Sequence, residues 1–160
     1  MELHHHDAAF SSAVMSKQVR RDDVFVVLPT YNEAANIRRV VERVLSQPLD
    51  IGVVIVDDNS PDGTGAIADR LAQALPNVHV MHRAGKQGLG TAYVAGFRWA
   101  LERDYDYVME MDCDFSHHPR YLPTFMEQIA DADLVIGSRY VPGGDTPDWG
   151  LYRRLMSTGG

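Results

Sequence analysis

Asp112-Cys113-Asp114 follows the mainly apolar run Tyr107-Val108-Met109-Glu110-Met111, so two carboxylates stand one residue apart at the carboxyl end of a predicted buried strand. Residues i and i+2 of an extended segment share a face, and two acids there suit a hard divalent cation that also holds a diphosphate. A pair of solvated acids in a strand-to-helix turn fits the short motif equally well, because D-x-D arises often by chance. The neighbouring segments favour the chemical reading. Polar and acidic residues recur in Pro29-Thr30-Tyr31-Asn32-Glu33, in Asp57-Asp58 and in Ser138-Arg139-Tyr140, each directly after an apolar run. Ligands of open α/β sheets bind outside the carboxyl ends of the strands, where strand order reverses, so acids at successive ends point to one cleft.

Strands must carry those ends. Val24-Phe25-Val26-Val27-Leu28 is a continuous apolar run closed by Pro29, the pattern of a strand buried on both faces. Ile37, Val40, Val41, Val44 and Leu45 then recur with helical spacing, opposite Arg38, Arg39, Glu42 and Arg43, with Asn32 as the expected cap. Val53-Val54-Ile55-Val56 predicts a second strand, Ile67, Leu71, Ala74 and Leu75 a second helix, and Val78-His79-Val80-Met81 a third strand. A loop over Gly85 to Gly90 leads to a helix from Ala92 to Leu101 and on to the strand before Asp112. Pro119 is expected to open another helix with the stripe Leu122, Phe125, Met126 and Ile129, and Leu134-Val135-Ile136-Gly137 to form a fifth strand. Alternating strands and helices with short links imply right-handed crossovers, and hence an α/β fold of three layers, α/β/α, around a mostly parallel sheet.

A chain of 160 residues, 45% hydrophobic and 23% charged, can bury a full core. Its net charge of −7 argues against sequence-independent binding of nucleic acid, which needs a basic stripe. The single cysteine, Cys113, cannot form an internal disulfide and reads as a small packed residue. No run approaches the roughly 20 apolar residues of a membrane span. Residues 1–23, with His4-His5-His6, hold no strand or helix period and are expected to be a flexible leader. Residues 24–160 are expected to form one catalytic domain, cut short after Ser157-Thr158-Gly159-Gly160.

Several nucleotide chemistries lack their fingerprints. No G-x-G-x-x-G follows the first strand, Gly85-Lys86-Gln87 lacks the hydroxyl residue and earlier glycine of a Walker loop, and there is no G-x-S-x-G elbow. A carboxylate site remains, suited to a nucleotide-sugar donor whose diphosphate is bridged by Mg²⁺ or Mn²⁺.

Five ordered segments carry a resemblance: Pro29-Thr30-Tyr31-Asn32-Glu33, Val56 to Thr64, Lys86-Gln87-Gly88-Leu89-Gly90-Thr91-Ala92, Met111 to Pro119, and Gly137-Ser138-Arg139-Tyr140. Together they resemble the inverting glycosyltransferases of family 2, most closely the dolichol-phosphate or polyprenol-phosphate mannose synthases. The resemblance implies a GT-A fold, GDP-mannose as donor and a polyprenyl (dolichyl) monophosphate as acceptor. It implies donor-nucleotide contacts at Pro29, Tyr31, Glu33, Asp57, Asp58, Lys86 and Gly88, and metal ligation by Asp112 and Asp114. Ser116 stands where some members carry Gln, which leaves the third protein ligand open; His117 and His118, just before Pro119, are expected to cap the helix or pack against the loop. Arg139 joins the two acids as an expected catalytic group, and with Arg153, Arg154 and Ser157 it would gather phosphate charge, as arginine forks do.

A phosphate acceptor is already an anion, so single in-line displacement with inversion requires no general base. A UDP-sugar-dependent transferase on polyprenyl phosphate and a non-catalytic nucleotide-binding module are the alternative readings. A polyprenyl acceptor also implies a peripheral enzyme on the cytosolic membrane face, attached through its surface, an anchoring segment or a partner subunit.

Overall fold

The computed structural model describes residues 24–103 and 105–138. The predicted leader and Arg139, Arg153, Arg154 and Ser157 lie outside the described residues. The chain divides into two compact units, Met1–Arg120 and Tyr121–Gly160.

The first unit alternates strand and helix: β1 (Val24–Thr30), α1 (Ile37–Leu45), β2 (Ile51–Asp57), α2 (Thr64–Ala74), β3 (Val78–His82), α3 (Leu89–Leu101) and β4 (Tyr107–Glu110). The four strands lie in the order β3-β2-β1-β4 and every pairing is parallel. The chain moves outward from β1 through β2 to β3, then returns across the sheet to place β4 on the other side of β1. Order therefore reverses between β1 and β4. With right-handed crossovers, the reversal puts α3 on the face opposite α1 and α2, which gives three layers.

Every residue of β1 and β2 is buried, as their unbroken apolar runs require. On the α3 face, Phe25 and Val27 of β1 and Val54 and Val56 of β2 pack with Ala92, Tyr93 and Ala100. Two glycines permit the close approach. A Cβ on Gly96 would run into the Val27 side chain, so α3 lies hard against β1. A Cβ on Gly52 would come within 2.6 Å of the Phe25 ring, itself stacked 5.0 Å from Trp99.

Two local expectations are corrected. Asn32 does not cap α1; it sits in the left-handed region at φ 63°, and the helix begins at Ile37 after a turn in which the Glu33 carbonyl accepts the N–H groups of Asn36 and Ile37. β4 ends at Glu110, so Asp112 and Asp114 do not lie on a strand, and the alternation rule does not govern their relative direction. The ladder extends only one residue further, with Met111 N–H donating to the Val27 carbonyl at 3.2 Å.

In the second unit, Leu122 and Met126 are the buried residues of α4 (Leu122–Gln128). The predicted single helix is split, with 3-10 turns at Pro119–Tyr121 and Ile129–Asp131 on either side of α4. Residues 134–138 form no strand, and Leu134 and Ile136 are 73% and 77% exposed. An apolar run marks a segment able to be buried, but a strand has no hydrogen bonds of its own and forms only along a partner edge. Among the described residues no helix is long and apolar enough to cross a membrane.

Replacing Gly96 with alanine should destabilise the fold by about 1–3 kcal/mol, the cost of overpacking a filled core. Adding Val27→Ala should offset part of that loss, and urea unfolding of the single and double variants measures both.

Candidate active site at the carboxyl edge of the sheet

Asp57 ends β2 at 2% exposure, and its carboxylate is held from several sides. Oδ1 accepts the hydroxyls of Thr30 at 3.0 Å and Ser60 at 2.6 Å, while Oδ2 accepts the Ser60 N–H at 3.1 Å. A Cβ on Gly65 would stand 3.0 Å from Oδ2, so α2 begins almost on top of the acid. The same loop holds the segment after β1. Asn32 N–H donates to Ser60 Oγ, Glu33 N–H to Thr64 Oγ1 and Ala34 N–H to Asp62 Oδ2. Asp62 also accepts the Thr64 hydroxyl and N–H, and the hydroxyl above all draws its carboxyl below the ordinary range.

Asp58 is adjacent in sequence but points to the opposite face, because successive residues of an extended chain alternate. Its side chain is 7% exposed and meets Arg83, 9% exposed, with Nη1 and Oδ1 3.0 Å apart. Those two atoms are not aligned as a hydrogen bond, so they attract as charges. Asp58 Oδ2 accepts Gln87 N–H at 3.2 Å, and Arg83 Nη2 donates to Gln87 Oε1 at 3.1 Å and Thr91 Oγ1 at 2.6 Å. Arg83 was not singled out by motif reading. Its signal was positional: a cation directly after β3, beside a strand end that carries two acids. Asp57 and Asp58 thus serve different neighbourhoods and do not form one acidic pair.

Lys86 Nζ lies 4.2 Å from the centre of the Tyr31 ring, which links the loop before α3 to the segment after β1. Gly88 adopts φ 97°, a conformation that favours glycine, just before α3. Glu33 Oε2 accepts the Asn36 amide at 2.8 Å.

Beyond β4, Asp112 Oδ1 accepts the Tyr93 hydroxyl at 2.7 Å. Burial, then the bond and charge of Asp112 and the charges of Glu110 and Asp114, push the Tyr93 hydroxyl far above the ordinary phenol range, so it stays a donor. Asp112 N–H donates to His117 Nδ1 at 3.1 Å, which requires a lone pair on that nitrogen. The 3.8 Å separation of Nδ1 from Asp112 Oδ2 is therefore no ion pair while the ring is neutral. His118 Nδ1 accepts the Arg120 N–H at 3.2 Å and caps the following turn, as expected of a residue ahead of Pro119. Asp114 Oδ1 accepts the Ser116 N–H at 2.8 Å. Partial burial pulls the Asp114 carboxyl upward, but the opposing contacts, led by the Ser116 hydroxyl and N–H, together outweigh it and hold the group below the ordinary carboxylate range. Burial, with the charges of Glu33, Asp114 and Asp112, drives the Cys113 thiol well above its usual range, so this sulfur is a packed residue and no nucleophile.

The donors suit a hard cation in one specific way. Among the described residues no group of three or more acids, histidines or cysteines gathers to cage an ion. Asp112 and Asp114 offer carboxylate oxygens alone, and no hydrogen-bond donor among the described residues reaches Asp112 Oδ2. Such a pair fits a cation shared with a diphosphate and water, as magnesium and manganese commonly are.

Arg83→Ala should cost about 3–5 kcal/mol of stability, because it strands a buried carboxylate. Asp58→Asn in the same chain should recover part of it, read as the midpoint of denaturant unfolding at pH 7.

Residues 25–159 match the model of the family described as glycosyl transferase family 2. The chain is 50% identical over 137 residues to the undecaprenyl-phosphate mannosyltransferase of Micrococcus luteus, covering 86% of this chain and 56% of that protein. It is 52% identical over 134 residues to the polyprenol monophosphomannose synthase of Mycolicibacterium smegmatis, covering 82% of this chain and 51% of that protein. The chain thus spans about half the length of these curated relatives. The crystal structure of S. aureus TarS 1-349 superposes with a TM-score of 0.56 over 75% of this chain and 40% of that chain, at 22% identity, a likeness of fold. The three-layer architecture is that of the GT-A glycosyltransferases. Strand-end carboxylates, topology and sequence agree: the chain belongs to glycosyl transferase family 2.

Proposed function

We propose that this chain supplies the nucleotide-sugar site of a polyprenyl-phosphate mannosyltransferase, which transfers mannose from GDP-mannose to a polyprenyl monophosphate with inversion. The observation that carries this reading is the identity of 50% and 52% to relatives named as an undecaprenyl-phosphate mannosyltransferase and a polyprenol monophosphomannose synthase.

On this reading the nucleoside lies against Pro29, Tyr31 and Glu33, with Lys86 and Gly88 beside it. The loop lattice around Asp57 fixes the backbone of that segment, and the Arg83–Asp58 pair fixes the start of the α3 loop. Asp112 and Asp114 would hold Mg²⁺ or Mn²⁺, which when bound would supply positive charge to stabilise the departing diphosphate. Arg139, Arg153, Arg154 and Ser157, outside the described residues, are proposed to meet donor and acceptor phosphates. An oxygen of the acceptor phosphate forms the new bond to the anomeric carbon as the sugar–diphosphate bond breaks, and GDP leaves with the electron pair. No proton moves, so positioning and electrostatics carry the rate. The enzyme works at the cytosolic face of a membrane, where the acceptor's lipid chain keeps it.

Transfer of labelled mannose from GDP-mannose to a short polyprenyl phosphate, with and without Mg²⁺ or Mn²⁺, tests the proposal on this chain and on one extended at its C-terminus. Asp114→Ala should lower metal-stimulated transfer by about 10²-fold or more, a loss typical of removing transition-state charge stabilisation, with little change in melting temperature. Undiminished turnover without metal, or tighter competition by UDP than by GDP, would argue for a different donor chemistry.

A further inference from the structure

We infer that Tyr93 is a positioning residue for Asp112: its hydroxyl commits one carboxylate oxygen and thereby aims the other at the cation site. This rests on the reading that Asp112 holds the metal. The Tyr93 ring is 9% exposed within the core between α3 and the sheet, so packing leaves the hydroxyl little freedom. That hydroxyl donates to Asp112 Oδ1 at 2.7 Å. Gly96, three residues further along α3, lets the helix that carries Tyr93 close on Val27. The backbone of the acid is fixed independently, by Asp112 N–H to His117 Nδ1 and by Met111 N–H to the Val27 carbonyl. With its main chain and Oδ1 held, Asp112 keeps Oδ2 as the oxygen that no donor among the described residues reaches. A partner of this kind, which orients a ligating carboxylate, commonly changes metal affinity about 10–100-fold when removed.

The test is Mn²⁺ affinity, read from the electron paramagnetic resonance signal of unbound Mn²⁺, with and without GDP, for the chain as it stands and for Tyr93→Phe, Asp112→Asn and the double variant. Tyr93→Phe should weaken Mn²⁺ binding about 10–100-fold, keep a near-native melting temperature, and cause no further loss in the Asp112→Asn background. Mn²⁺ binding that is absent from the unaltered chain, or unchanged by Asp112→Asn, would remove the cation reading and this inference with it. If Asp112→Asn weakens binding while Tyr93→Phe does not, the cation reading stands and the positioning role is overturned. Equal loss in both backgrounds, or an unfolded Tyr93→Phe, would assign the hydroxyl to stability alone.

Discussion

Two acids buried side by side at the end of β2 would each cost several kcal/mol if left without partners. The alternation of an extended chain sends them to opposite faces, and each face answers differently. Asp57 is satisfied by hydroxyls and an N–H from Thr30 and Ser60, donors contributed by β1 and by the loop after β2. Ser60 in turn accepts the N–H of Asn32, so the need to satisfy one carboxylate also places the segment proposed to meet the nucleoside. Asp58 is matched by a guanidinium from the end of β3, and that guanidinium reaches Thr91 near the start of α3. The demands of two charges thus link β1, β2, β3 and α3 along one edge.

That edge also stores backbone strain. The non-glycine residues at positive φ among those described are Asn32, Asn59 and Phe115, one in each turn that follows β1, β2 and β4. Asparagine tolerates the left-handed region, whereas a phenylalanine pays about 1–2 kcal/mol to adopt it. The Arg39 guanidinium, 5.1 Å from the Phe115 ring, is a contact that helps hold the side chain there. The turn bearing Asp114 is therefore kept in a shape its residues would not choose alone, a common property of ligand-binding turns.

Fold class was legible because β1 and β2 are buried on both faces, and such strands leave unbroken apolar runs; the amphipathic spacing of α1 was equally plain. The turn after β1 was not legible. Asn32 looks like a helix cap by type, yet its backbone serves Ser60 across 28 residues of chain, a partner that local pattern cannot reveal. The polar segments after β1 and β2 do stand at strand ends, whereas Asp112 and Asp114 lie beyond the end of β4, and no local pattern showed which partners Asp57 and Asp58 would each take. Arg83 escaped notice because a single cation after a strand has no motif, and its meaning comes only from Asp58 arriving beside it through a parallel crossover. The run at Leu134 has the composition of a strand, but pairing is a relation between segments and is not written in either one.

Gly52 gives the register of β2 a wider significance. Opposite Phe25 in the parallel ladder, it is the position where the aromatic ring leaves no room for a side chain. A slip of β2 by one residue would push Ile51 or Val53 under that ring, and it would also turn each of the two acids to the face opposite the one it now takes. Steric exclusion near the amino end of the strand thus acts as a proofreading device for the charge pattern at its far end: a misaligned sheet is penalised in the core before any ligand has the chance to meet a scrambled cleft.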